Sequence, residues 1–179
     1  DRAVQLAACG RSAVGCDMRI VDSDGTPLPV GEIGEIAVRS DNVMRGYWNR
    51  PDLTAETVKN GWMMTGDAAH MDAQGFIYIV DRVKDMIISG GENVYSAEVE
   101  QAVYSHPAVL ECAVIGVPDD KWGERVHAVV RLHPGVQAEG EDIMRHCRGV
   151  IGAYKCPRSV SFTDQALPLS GAGKILKTE

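Results

Sequence analysis

The chain has 179 residues, 45% hydrophobic and 24% charged, enough to bury one or two cores and ordinary for a soluble globular protein. A net charge of −7 argues against a general nucleic-acid binder, and no apolar run approaches the ~20 residues of a membrane span. Five scattered cysteines (Cys9, Cys16, Cys112, Cys147, Cys156) with no C-x-x-C pair indicate neither a disulfide framework nor a zinc site, and fit reduced thiols in a cytoplasmic setting. The first residue is Asp1 rather than Met, without a basic-then-apolar leader, so a fragment or processed chain is expected. From Ile143 onward Arg145, Arg148, Lys155, Arg158, Lys174 and Lys177 face only Asp164 and Glu179. A basic end on an acidic chain suits a phosphate-bearing small ligand, although such faces are commonly just solvated.

In chain order, residues 18–22 and 34–39 alternate apolar and polar, as half-buried strands do. Asp24-Gly25, Pro27, Pro29 and Gly31 supply turn chemistry between them. Residues 50–58 predict a short helix with Asp52 as N-cap, and 76–80 a strong strand opened by Gly75. This first part is expected to be β-rich. Beyond Asp81 the pattern changes. Residues 83–89 are strand-like and run into Gly90-Gly91; a helix follows Ser96 as N-cap, with Glu98 and Glu100 near its positive end. Val99, Val103 and His106 share one face, and Pro107 stops it. Residues 109–117 and 125–133 predict two strands around a turn containing Pro118, Asp119 and Asp120. An amphipathic helix follows, with Ile143, Cys147, Val150 and Ile151 on one face. Glu139, Glu141 and Asp142 open it, and Arg145 and Arg148 come later. Residues 158–164 predict a last strand before a polar, glycine-containing tail. The fold class is α+β: a small β-rich unit over 1–81, then a compact α+β domain over 82–179 with helices on one sheet face.

Lys174 is the sharpest chemical candidate. It follows Ser170-Gly171-Ala172-Gly173, and a lysine on so permissive a loop can bring a point charge to a phosphoryl group. A P-loop is excluded by Pro168 and Ile175. The plainer reading is a solvated turn lysine, which composition alone favours. Asp67, after Gly66, can accept bonds from two sugar hydroxyls, or can cap its own turn. Arg82 and Lys84 belong to a charge cluster, residues 81–85, that reads as a hinge with an arginine reaching a nucleotide, or as a surface ion-pair patch. Gly90-Gly91 admits a ligand close to the backbone or is only a turn. Trp122 stacks on a ligand or caps a core edge. No residues suggest a metal site; His70, His106, His127, His133 and His146 lack H-x-x-x-H spacing.

Taken in order, the stretches 25–48, 61–67, 75–100, 116–130, 154–162 and 167–177 resemble the adenylate-forming superfamily of acyl-CoA synthetases, luciferases and peptide-synthetase adenylation domains. The resemblance spans about Gly15 to Lys177. It implies that 1–81 is the C-terminal end of a large adenylation domain and 82–179 a mobile C-terminal domain. Residue by residue it implies that Asp67 binds the ATP ribose, with Arg82 beside it, and that Lys84 is the hinge. Gly90, Gly91 and Glu92 would line the path of CoA, with Trp122 and Tyr154 near it, and Lys174 would assist adenylation. ATP, Mg2+ with ligands outside this chain, CoA and a carboxylic acid are the implied partners. Residues 89–100 look most like ligases for fatty or aryl acids; a domain feeding a carrier protein, or a binding module without chemistry, are the alternatives. Ser96 stands where the family usually has proline, expected to be a harmless exchange of helix-start residues. Residues 164–168 are one longer than the usual D-x-L-P. With the family's phosphate loop and acyl pocket upstream of Asp1, the chain alone is expected to be inactive.

Overall fold

The computed structural model describes residues 7–171 and 173–177. These form two compact units that divide between Lys84 and Asp85, each an answer to how its apolar alternation is buried.

In the first unit the strands are β1 (Gly10–Arg11), β2 (Cys16–Val21), β3 (Gly34–Ser40), β4 (Val58–Lys59), β5 (Trp62–Met71) and β6 (Phe76–Arg82). They form one antiparallel sheet in the order β1-β6-β5-β3-β2, with β4 also on β5. Period-2 alternation puts Ile20, Ile36, Ala69 and Ile77 into one buried cluster, flanked by Met18, Leu28, Val38 and Met71. Helix α1 (Pro51–Thr57) opens with proline at its first position. Asp52 is not its N-cap. Arg50 occupies that place, and the Asp52 carboxylate lies 2.7 Å from the Arg50 guanidinium. Proline cannot donate, and the chain before it supplies an arginine that gives the first-turn acid a partner.

In the second unit, strands β7 (Ile87–Ser89), β8 (Glu92–Val94), β9 (Val109–Asp119), β10 (Gly123–Leu132) and β11 (Ser159–Phe162) accompany helices α2 (Ser96–Tyr104) and α3 (Gly140–Arg148). β10 pairs antiparallel with β9 along its length; its other edge takes β7 at Gly123 and, in parallel, β11 at 127–130. The parallel pair requires a crossover, which α3 supplies. Val126, Ala128 and Val130 alternate along β10 and are fully buried against Val99 and Val103 of α2 and Ile143 and Cys147 of α3. Each of these valines, and Ile143, contributes roughly 1.5–3 kcal/mol in gross transfer terms. The acidic start of α3 forms a capping box, with the Glu139 and Asp142 carboxylates each accepting the other's backbone N–H.

Four other local expectations differ. Residues 83–85 make a 3₁₀ turn, not strand, and β7 begins only at Ile87, where the chain enters the second core. Ser96 is the first residue of α2 rather than its cap; Tyr95 is the cap, and the Ser96 side chain is committed elsewhere. β9 runs on through Pro118 and Asp119. His106 and Val150 lie beyond the ends of α2 and α3, and Val150 is exposed.

Candidate active site

In the first unit, β3 and β5 fall out of register between Glu35 and Ala37, so Thr65, Gly66 and Asp67 bulge opposite Ile36. Gly66 makes this possible, with φ of +76°. The bulge is held by side chains: Gly66 N–H donates to Glu35 Oε1 (2.8 Å), and the Thr65 hydroxyl donates to the Ile36 carbonyl (3.0 Å) while accepting Asp67 N–H (3.2 Å). On the other edge Asp67 stands opposite Arg82 of β6, whose Nε lies 2.9 Å from Asp67 Oδ1. The pair is half-exposed, with the Asp67 side chain 29% and Arg82 49% accessible. A carboxylate aimed by a bulge and steadied by one guanidinium bond is suited to accepting hydroxyl donors. Lys84 is exposed in the 3₁₀ turn at the boundary of the first unit.

In the second unit, Gly90 and Gly91 are the two-residue turn between β7 and β8, with φ of +65° and +84°. Both positive values are what a type I′ hairpin requires. Glu92 opens β8 and is exposed. Gly90 N–H donates to the Trp122 carbonyl (2.8 Å), and a Cβ at Gly90 would stand 2.8 Å from Trp122 Cε3. Trp122 thus lies on the glycine turn. Its ring carries Arg158 at 4.1 Å and Lys121 at 4.8 Å from the centroid. Directly before this turn the Ser89 hydroxyl is buried without a partner among the described groups. Tyr154 is exposed in the loop after α3, with Lys155 Nζ 5.6 Å from its ring centre. Lys155 is itself 2.7 Å from Glu98, and the Glu98 bond is the leading cause that raises its pKa.

Lys174 is exposed in the segment after β11. The local sequence closes this segment on itself: Leu169 pairs with Ile175, Ser170 N–H donates to the Lys174 carbonyl (2.7 Å), and Leu176 N–H donates to the Pro168 carbonyl (2.9 Å). Within each unit the geometry thus joins Asp67 to Arg82, and Gly90 to Trp122. Two residues escaped the sequence reading. Arg158 was visible only as one of several late basic residues, and Lys177 as the last of them. Among the described residues no group of three or more His, Cys, Asp or Glu could hold a metal ion. No step below runs through a metal.

Family models match two stretches of the chain: the AMP-binding enzyme family over residues 1–48 and the AMP-binding enzyme C-terminal domain over 98–174. The chain belongs to the adenylate-forming, AMP-binding enzyme family. Among members of this family it is 49% identical, over 99% of its length, to a feruloyl-CoA synthase from an Amycolatopsis species. Its identity is 45%, over 95% of the chain, to a medium/long-chain fatty-acid–CoA ligase of Mycobacterium tuberculosis. It spans 36% and 31% of those two proteins. The fold also matches that of o-succinylbenzoate CoA synthetase from Bacillus subtilis, solved with its acyl-adenylate intermediate. That match has a TM-score of 0.88 at 38% identity and covers 99% of this chain and 36% of the other. The α+β architecture is that of the family's C-terminal portion. Among the described residues no helix is long and apolar enough to cross a membrane.

Proposed function

We propose that this chain is the closing part of an AMP-forming acid–CoA ligase acting on a fatty or aryl carboxylic acid. The observation that carries the reading is Lys174, an exposed ammonium on a self-closed loop, in a chain akin to enzymes named for feruloyl and fatty acids. In the first half-reaction an acid carboxylate oxygen attacks the α-phosphorus of ATP. The acyl–O–P bond forms and pyrophosphate leaves with its bond electrons. Lys174 offsets the charge gathering on the transferred oxygens. Asp67, steadied by Arg82, holds the ribose hydroxyls.

In the second half-reaction the CoA sulfur attacks the acyl carbonyl, the C–S bond forms, the C–O bond to AMP breaks, and the thiol proton passes to solvent. Residues 1–81 belong to the large domain in this reading, and residues 82–179 swing about Lys84 between the two steps, withdrawing Lys174. The Gly90-Gly91 turn and Glu92 then flank the pantetheine. Trp122, Tyr154 and Arg158 offer the aromatic and cationic groups that a phosphorylated nucleotide needs.

ATP–pyrophosphate exchange by the complete protein against a panel of aryl and fatty acids tests this reading. One acid class supporting exchange, with none by the 179-residue chain alone, is the expected result. Exchange by the chain itself, or none by the complete protein with any acid, would contradict it.

A further inference from the structure

Lys174 is exposed, yet its loop is anchored on both sides. Before the loop, Leu167 N–H donates to Glu111 Oε2 (3.2 Å), and Glu111 pairs with Arg131 at 3.3 Å. After it, Lys177 Nζ lies 2.8 Å from Glu100 Oε1 and donates to the Ser96 hydroxyl at 2.6 Å. This second anchor is largely withdrawn from water: the Lys177 and Glu100 side chains are 15% and 19% accessible, and Ser96 is wholly buried. Glu100 Oε1 also accepts Val114 N–H at 2.9 Å, which fixes the carboxylate between α2 and β9. A charge pair so enclosed, with a further hydroxyl bond, constrains geometry more than a surface pair does.

We propose that Lys177 is a positioning residue for Lys174: its bonds to Glu100 and Ser96 fix the outgoing end of the loop that presents the reactive ammonium. The inference rests on the adenylation role of Lys174. Only Ile175 and Leu176 separate the two lysines, a tether of at most about 10 Å. Releasing Lys177 lets the loop end wander, and a misplacement of about 1 Å costs on the order of a hundredfold in an oriented reaction. Ser96 gains meaning here. Proline, usual at this position in the family, suits the first turn of a helix but has no hydroxyl to offer. The exchange is therefore not neutral in this chain: it supplies one of the two groups that hold Lys177.

The test measures both half-reactions in the complete protein with Lys177→Met, Lys177→Arg and Glu100→Gln, and with Lys174→Ala as reference. In Lys177→Met, kcat for ATP–pyrophosphate exchange is expected to fall about tenfold or more, with little change in KM for ATP. Thioester formation from supplied acyl-AMP should persist, and Lys177→Arg should recover much of the loss. Glu100→Gln keeps an acceptor for Val114 and should show the same one-sided loss, which decides the matter if Lys177→Met does not fold. Unaltered exchange in the charge-breaking variants, or equal loss of both half-reactions, overturns the proposal. Should Lys174→Ala itself leave exchange intact, the role given to Lys174 has failed, and the positioning role fails with it.

Discussion

At the scale of single residues, buried thiols and exposed cations are both placed by what surrounds them. Burial, followed by the Glu100 carboxylate and Cys147, pushes the Cys112 thiol up to about 12; burial and Cys156 push Cys147 to about 11. Both stand above the ordinary value near 9. The neutral thiol is thus favoured in the folded state. Its stabilisation is fully present below pH 9 and is lost as pH rises through the folded values. A thiol-alkylating reagent at pH 8 is expected to label exposed Cys9 promptly and to spare Cys112, Cys147 and Cys156 until denaturant is added. Prompt labelling of Cys112 in the native protein would show that the second core is open. Residue identity was the most legible layer of the sequence: Asp67, Gly90, Trp122 and Lys174 stand out there. Arg82 beside Asp67 was legible as well, but more distant contacts were not. Arg158 reaches the Trp122 ring, and Lys177 reaches Glu100, across long stretches of chain that only the packed core brings together. Ser96 shows the same limit, since its hydroxyl was expected to cap α2 and instead receives Lys177.

At the scale of elements, the strongest periodicities were read correctly. β10 alternates Val126, Ala128 and Val130 inward, and α3 runs from acidic to basic around Ile143 and Cys147. Residues 83–89 misled because a run with strand propensity crosses the boundary between two cores, where the backbone must turn before Ile87 can be buried. The bulge at Thr65–Asp67 was also hidden, since it depends on Glu35 in a neighbouring strand. The glycine turn allows a differential test. Gly90→Ala and Gly91→Ala both place a β-carbon at positive φ, costing roughly 1–2 kcal/mol each. Only the first meets Trp122, at 2.8 Å, whereas nothing lies within 4 Å of the second. If Trp122 and the turn serve CoA, Gly90→Ala should depress thioester formation from acyl-AMP well beyond Gly91→Ala, with adenylation spared in both. Matching losses in the two variants, with similar melting temperatures, would remove Trp122 from that role.

At the scale of the whole molecule, the chain consists of two units with separate cores, and the candidate chemistry is divided between them. Asp67 and Arg82 belong to the first; the Gly90 turn, Trp122 and Lys174 belong to the second. Such a division suits an enzyme that runs two half-reactions in turn, because each can be served by a different face of the second unit. Composition and charge alone left this open; the ordered motifs supplied the family, and the packing supplied the anchors that tie Lys174 to its unit. The central claim is that Lys174 acts in adenylation and not in thioester formation. The measurement that tests it most directly is the rate of each half-reaction in the complete protein carrying Lys174→Ala. ATP–pyrophosphate exchange is expected to fall about a hundredfold or more, while thioester formation from supplied acyl-AMP stays close to that of the unaltered protein. Equal loss of both half-reactions, or exchange that survives the substitution, would contradict the account.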